Sequence, residues 1–332
     1  MNVKSYAKVG AVVGAAALGL GILSSPASAD PSPATDYRQL AGVGSDTTQY
    51  VMNGLGDSAA VTNAGGKIIA SWNATGTATI TTKATGCAGI ARPNGSSAGI
   101  NALNADLAAG TDCVDFARSS RGPADTSTDD LTFVPFALDG VTYATDLGST
   151  LPTNLTKAQL IDIYECDSAQ YPNAQPLLPQ SGSGTRSFWL TALGMTEADL
   201  GDCVVDNVQE HNGEAIANGN QLMPYSIAQW ISQGKGFADV PNRRGQSRLR
   251  SINSLAPTTG SGSALALNSG FDADFLRQVY NVVPTANLSD AVIDETFTGS
   301  DSKVCADTAT LTNYGFGTLG ADCGSTALKA ER

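Results

Sequence analysis

The sequence predicts an α/β protein of two lobes. A unit of short apolar strand, glycine- and serine-rich turn and helix recurs along its first half, as in sheets whose ligands gather at strand ends. The chain has 332 residues, more than one hydrophobic core usually serves, which points to two lobes. A run of strand formers, Leu131 to Ala144 (LTFVPFALDGVTYA), is placed to cross between them.

The elements follow in order. Lys4 and Lys8 precede an apolar run from Val9 to Leu23 and then Ala27-Ser28-Ala29, the order of a secretory signal over residues 1–29 with cleavage after Ala29. The run is short for a membrane span. No cysteine lies at the cleavage site, so the expected product is secreted or extracytoplasmic and not lipid-anchored. Gln39 to Ser45 reads as a strand, followed by the turn Gly44-Ser45-Asp46-Thr47-Thr48 and a helix through Val51, Met52 and Leu55. Lys67 to Trp72 reads as a second strand. Gly95-Ser96-Ser97-Ala98-Gly99 opens a helix containing Ile100 and Leu103, and Val114 to Ala117 forms a third strand running into Arg118-Ser119-Ser120-Arg121. Thr156 caps a helix through Leu160 and Tyr164, Leu222 to Ile227 crosses back, and Phe271 to Val283 has helical spacing at Phe275, Leu276, Val279 and Tyr280.

The most informative stretch is Ser181-Gly182-Ser183-Gly184-Thr185-Arg186, followed abruptly by the apolar start of a helix. Such a turn aims backbone N–H groups and hydroxyls at one point, at the positive end of a helix dipole, which is the design of an oxyanion site. The same residues also suit an ordinary serine-capped helix.

Charge and cysteines narrow the class. The formal net charge is −12, and loss of Lys4 and Lys8 with the leader makes it −14. That disfavours nucleic acid and anionic membrane as partners, but not a small anion held by local dipoles. Six cysteines, an even number in an exported chain, imply disulfides. Sequential pairing, Cys87–Cys113, Cys166–Cys203 and Cys305–Cys323, closes three local loops. There is no CxxC and only one histidine, His211, so neither a metal nor a cofactor is expected.

Four segments, Gly44 to Thr48, Gly95 to Gly99, Asp115 to Ser120 and Gly182 to Thr185, resemble in order and spacing the phosphate-binding proteins of ABC importers. These belong to the two-lobed periplasmic-type binding-protein superfamily. The resemblance implies a periplasmic-binding-protein-like fold with a ligand cleft between lobes. Residues 30–138 and 228–332 would form one lobe and 139–227 the other. It implies a monomeric solute-binding protein, not an enzyme, that captures phosphate or another tetrahedral oxyanion for an ABC permease. Carried over by position, Ser96 donates from the first lobe, Ser183, Gly184 and Thr185 bind from the second, and Asp46 or Thr47 fills the early contact. Two positions depart from the family. Ser120 stands where relatives have an aspartate that accepts the proton of hydrogen phosphate, and Pro179 where they often have an arginine. Arg118, Arg121 or Arg186 would restore positive charge, and Asp46 the carboxylate.

Two other readings compete. Gly95-Ser96-Ser97-Ala98-Gly99 matches the G-x-S-x-G elbow of a secreted serine hydrolase, with His211 as base and Asp206 or Asp239 as acid. A non-transport extracellular protein that keeps the binding fold is the other. The basic cluster Arg243, Arg244, Arg248 and Arg250 reads as a solvated loop or a docking point.

Overall fold

A computed structural model describes residues 30, 31 and 33–331. The expected signal segment, 1–29, lies outside the described residues. Ten strands form one mixed sheet. Those that position the site are β1 (Leu40–Gly44), β2 (Ile69–Ser71), β3 (Phe116–Ser119), β4 (Leu131–Asp146), β5 (Gln175–Pro179), β6 (Val205–Val208), β7 (Gln221–Ser226), β8 (Ser247–Leu249), β9 (Leu276–Pro284) and β10 (Lys329–Ala330). Their spatial order is β6-β5-β7-β4-β9-β3-β1-β2, with β8 and β10 also paired to β4. The helices that matter are α1 (Gln49–Asp57), α2 (Ser96–Ala109), α3 (Lys157–Tyr164), α4 (Gly184–Leu193) and α5 (Ile227–Gly234).

β1 runs parallel to β2 and β3, and β5 parallel to β6 and β7. The two parallel groups are joined by the antiparallel partners β4 and β9. β4 is sixteen residues long and belongs to both halves. Parallel strands followed by helices bring turns to their carboxyl ends, so the 44–48, 118–121 and 180–185 turns all face the junction.

The packing divides accordingly. Met52, Leu55, Phe116, Val279 and Phe297 share one core, and Ala41, Ile100, Phe133 and Val282 extend it on the other face of the sheet. A separate cluster surrounds Tyr143, Tyr164, Trp189, Leu193 and Ile227, with the Trp189 ring 5.9 Å from Tyr164 and 5.5 Å from Phe275. Ile252, Leu267, Phe271 and Phe275 also pack in this second cluster. The segment 228–275 packs against both cores, with Ala228, Phe237 and Val240 on the first and Ile231, Ile252 and Phe275 on the second.

Most elements fall where the sequence places them, including the Thr156 cap of α3, which is a full capping box with Gln159. The exception is Phe271 to Val283. Only Ala273–Phe275 is helical, as a short 3-10 turn, and Leu276–Pro284 is the central strand β9. Apolar residues at 275, 276, 279 and 280 fit either period. Val279, Val282, Val283 and Tyr280 favour a strand, and burial of most of its residues explains the absence of simple alternation.

The three disulfides join Cys87 to Cys113, Cys166 to Cys203 and Cys305 to Cys323, as expected. Among the described residues no helix is long and apolar enough to cross a membrane. The Cys166–Cys203 bridge ties the end of α3 to the chain leading into β6 across 37 positions. Replacing both of its cysteines with alanine is expected to lower stability by about 2–4 kcal/mol. Urea unfolding of the oxidised proteins measures this, and an unchanged midpoint would contradict it.

Candidate functional site

Three helix N-termini converge where the parallel groups meet. α1 presents Thr47 and Thr48, α2 begins at Ser96, and α4 is entered through Ser183, Gly184 and Thr185. Gly95, at φ 110°, makes the approach possible, since a Cβ there would lie 2.7 Å from the Gly182 carbonyl oxygen. Gly184 is required for a second reason: a Cβ would overlap Ser96 Oγ and Ser120 Oγ. The Ser97 N–H donates to that same Gly182 carbonyl at 3.2 Å, which fastens the two turns together.

The result is a fully buried cluster of hydroxyls. Ser120 Oγ lies 3.0 Å from Ser45 Oγ, 3.1 Å from Thr47 Oγ1 and 3.3 Å from Ser96 Oγ. Thr47 Oγ1 is 3.3 Å from Thr185 Oγ1. Ser96 Oγ also accepts the Ser120 N–H at 3.0 Å, and Ser183 Oγ caps α4 by accepting from the Arg186 N–H at 3.1 Å. Six hydroxyl side chains (Ser45, Thr47, Ser96, Ser120, Ser183 and Thr185) are each 0% exposed. Hydroxyls at helix N-termini, closed off from water, are suited to an anion rather than a cation.

The cation of this cluster is Arg277, on β9. Its guanidinium pairs with Asp139 through Nε at 3.0 Å and Nη2 at 2.8 Å, donates to the Ser120 carbonyl at 2.9 Å, and reaches Thr185 Oγ1 at 3.0 Å. Arg118 and Arg186 are placed elsewhere. Arg118 is buried behind the turn and donates to the carbonyls of Gly42, Gly44, Ser45 and Trp72 and to Ser71 Oγ. Burial lowers its pKa to about 9, which leaves it charged at neutral pH. Arg186 pairs with Glu197 and Asp206 and donates to the Pro179 carbonyl, so its charge is neutralised on the outer side of α4. Arg121 donates to Ser97 Oγ and the Gly122 carbonyl.

The carboxylates are also distributed differently from the sequence expectation. Asp46 turns away from the hydroxyls: Oδ1 lies 2.9 Å from His211 Nδ1, and Oδ2 accepts from Arg243 at 3.3 Å and from Gln49 at 3.0 Å. Burial alone would raise the Asp46 carboxyl, but the Arg243 charge and the His211 contact outweigh it and hold it below the usual carboxylate range. The carboxylate among the hydroxyls is Glu210. Its Oε1 accepts from the Thr185 N–H at 3.3 Å and lies 3.2 Å from Thr47 Oγ1, while Oε2 is buried with no protein partner. His211 Nε2 is 3.3 Å from Thr185 Oγ1 and 3.8 Å from Glu210 Oε1. The histidine therefore meets Thr185 and Asp46, while Ser96 meets Ser120 and Asp206 meets Arg186. The hydrolase constellation of Ser96 and His211 with Asp206 or Asp239 is not assembled.

Of the expected residues, the structure brings together Thr47, Ser96, Ser120, Ser183, Gly184 and Thr185. Arg277, Glu210 and His211 join them without having been expected as ligands. Arg277 was hidden by the helical reading of its segment. The run Gln209-Glu210-His211-Asn212 carries a visible signal, a carboxylate beside the single histidine, but nothing local says what it faces. Among the described residues there is no group of three or more His, Cys, Asp or Glu side chains arranged to hold a metal.

No protein-family model matches the chain, and no curated protein matches it. Solved structures do resemble it. An ABC-type phosphate transport receptor from Vibrio cholerae shares 15% identity over 84% of this chain and 99% of its own, with a TM-score of 0.52. A phosphate-binding protein from Stenotrophomonas maltophilia shares 10% identity over 85% of this chain and 91% of its own, with a TM-score of 0.50. At these identities the likeness concerns the fold, which is the mixed α/β, two-lobed binding-protein architecture.

The lowered Asp46 carboxyl sets an acid dependence. A group depressed in the folded state stabilises above its unfolded pKa, about 3.9, and that contribution is lost as pH falls through the folded value. Asp46→Asn should lose stability at neutral pH, approaching the roughly 3–5 kcal/mol of a broken buried pair, less what Arg243 recovers by its remaining contact with water. The variant should also show a shallower loss on acidification below about pH 4. Urea unfolding across pH tests both, and parallel curves for the two proteins would contradict the pairing.

Proposed function

We propose that this chain is an extracytoplasmic solute receptor that captures a tetrahedral oxyanion, phosphate, and passes it to an ABC permease without catalysing a reaction. The observation that carries the reading is the meeting of three helix N-termini and six buried hydroxyls beside one guanidinium. The resemblance of the fold to phosphate receptors supports it, as does disulfide bonding of all six cysteines, which suits an oxidising compartment.

The ligand set in this reading is Thr47, Ser96, Ser120, Ser183, the Gly184 and Thr185 N–H groups, Thr185 Oγ1 and Arg277. Residues 30–138 and 276–331 belong to one lobe and 139–227 to the other, with 228–275 packed against both cores and the ligand between the lobes. Selection comes from Glu210. A buried carboxylate oxygen without a donor is satisfied by hydrogen phosphate, which carries a proton, and is left facing a lone pair by sulfate. An unmade hydrogen bond to a charged buried group is costly, and that cost rejects sulfate. Asp46, the carboxylate expected for this task, serves His211 and Arg243 instead.

Calorimetric titration of the folded protein with phosphate, sulfate and arsenate tests the reading. Phosphate and arsenate should bind and sulfate should not. Ser183→Ala combined with Thr185→Val removes hydroxyl contacts to a charged ligand at roughly 1.5–3 kcal/mol each, so phosphate affinity should fall at least tenfold. Glu210→Gln should weaken phosphate and admit sulfate, because an amide donates as well as accepts. No heat with any oxyanion would overturn the receptor reading.

A further inference from the structure

His211, the only histidine of the chain, is fully buried and held at φ 54°. Its backbone carbonyl accepts from Tyr225 Oη at 2.6 Å and from Gln233 Nε2 at 3.0 Å, and its ring packs edge-on to Tyr225 at 5.4 Å. The imidazole is thereby fixed between Asp46 on one side and Thr185 and Glu210 on the other.

The hydrogen-bond inventory then constrains where protons lie. The Asp46 carboxylate, kept ionised beside Arg243, can only accept, so His211 Nδ1 carries a hydrogen. Nε2 faces Thr185 Oγ1. That hydroxyl has one hydrogen and two lone pairs, and Arg277 Nη2 already donates to one of the lone pairs. If Nε2 is bare, the Thr185 hydrogen is drawn to it and the hydroxyl presents oxygen to an incoming anion. Turning the hydrogen toward Thr47 instead leaves the Nε2 lone pair facing the Glu210 carboxylate with no donor between them. If Nε2 carries a hydrogen, it donates to the second Thr185 lone pair and the hydroxyl hydrogen is free to point at the anion.

Charge bears on the same choice. Asp46, Asp139 and Glu210 are buried carboxylates around the cluster, and Arg243 and Arg277 are the guanidiniums paired with the first two. Glu210 has no guanidinium of its own, and the ring nitrogen His211 Nε2 lies 3.8 Å from its Oε1.

Resting on the receptor reading, we propose that His211 is a positioning residue that sets the direction of the Thr185 hydroxyl, and that oxyanion capture is coupled to a proton on its imidazole. The groups that face this equilibrium are Asp46, Glu210 and Tyr225 directly, Arg243 through Asp46, and Arg277 through Thr185.

A single histidine gives one imidazole to follow by nitrogen-15 NMR on the whole folded chain. With saturating inorganic phosphate, both ring nitrogens are expected at protonated shifts. Wild-type phosphate affinity should fall as pH rises, approaching tenfold per unit for one linked proton. His211→Gln, whose amide donates at every pH, should bind phosphate with that slope removed. A neutral ring in the saturated complex overturns the inference, as does an unchanged slope in His211→Gln. The NMR readout needs no variant and decides the matter even where the substitution impairs folding. Absence of phosphate binding at every pH is a different failure, which overturns the receptor reading and this inference with it.

Discussion

The structure of the site depends on one ion pair between neighbouring central strands. Asp139 on β4 and Arg277 on β9 stand directly opposite in the ladder, and each has further partners that fix other elements. Asp139 also accepts from Ser226 Oγ at 2.9 Å and from the Ala228 N–H at 3.1 Å, which seats the start of α5. Arg277 reaches the Ser120 carbonyl from one parallel group and the Thr185 hydroxyl from the other. A buried pair of this kind is weak evidence for stability, because desolvation offsets much of the attraction. Its effect here is geometric. A one-residue slip of β9 against β4 would separate the charges and turn the guanidinium to the other face of the sheet.

Charges with no part in anion contact build the frame around this pair. Arg118 links the end of β1 to the segment after β2 through four carbonyls, holding the 44–48 turn from behind. Arg186 anchors the outer side of α4 to the end of β5 through the Pro179 carbonyl. Had either pointed into the hydroxyl cluster, these carbonyls would lose a charged donor, a cost comparable to the gain from an ionic ligand contact. Arginine in a glycine-rich turn thus has two competing uses, and the sequence alone does not separate them.

Legibility in the sequence follows the range of the interaction. The glycine–hydroxyl turns, the Thr156 cap and the disulfides are local features, and they lie where the sequence places them. Asp46 with His211, Arg243 with Asp46, and Arg277 with Thr185 join positions 165, 197 and 92 apart, and no local pattern encodes them. β9 is an intermediate case. Its apolar spacing allows a helix, and only its β-branched content and its place between β3 and β4 decide for a strand. That single ambiguity concealed Arg277.

The same long-range contacts make assembly of the site depend on the docking of sequence-distant segments. Gln229, at the start of α5, donates to the backbone carbonyls of Asp46 and Thr47 at 3.0 and 2.8 Å, while the Asp46 side chain holds His211 and Arg243. The early turn is therefore fixed by groups from sequence-distant segments, and Thr47 faces Thr185 only when all are docked. Buried hydroxyls and carboxylates packed this closely repel unless each donor meets an acceptor. Docking of the segments is favourable only to the extent that the polar contents of the junction are mutually satisfied. On the reading proposed above, an anion that accepts from the hydroxyls and donates to Glu210 would complete that set, and its binding energy would appear as stabilisation of the docked arrangement.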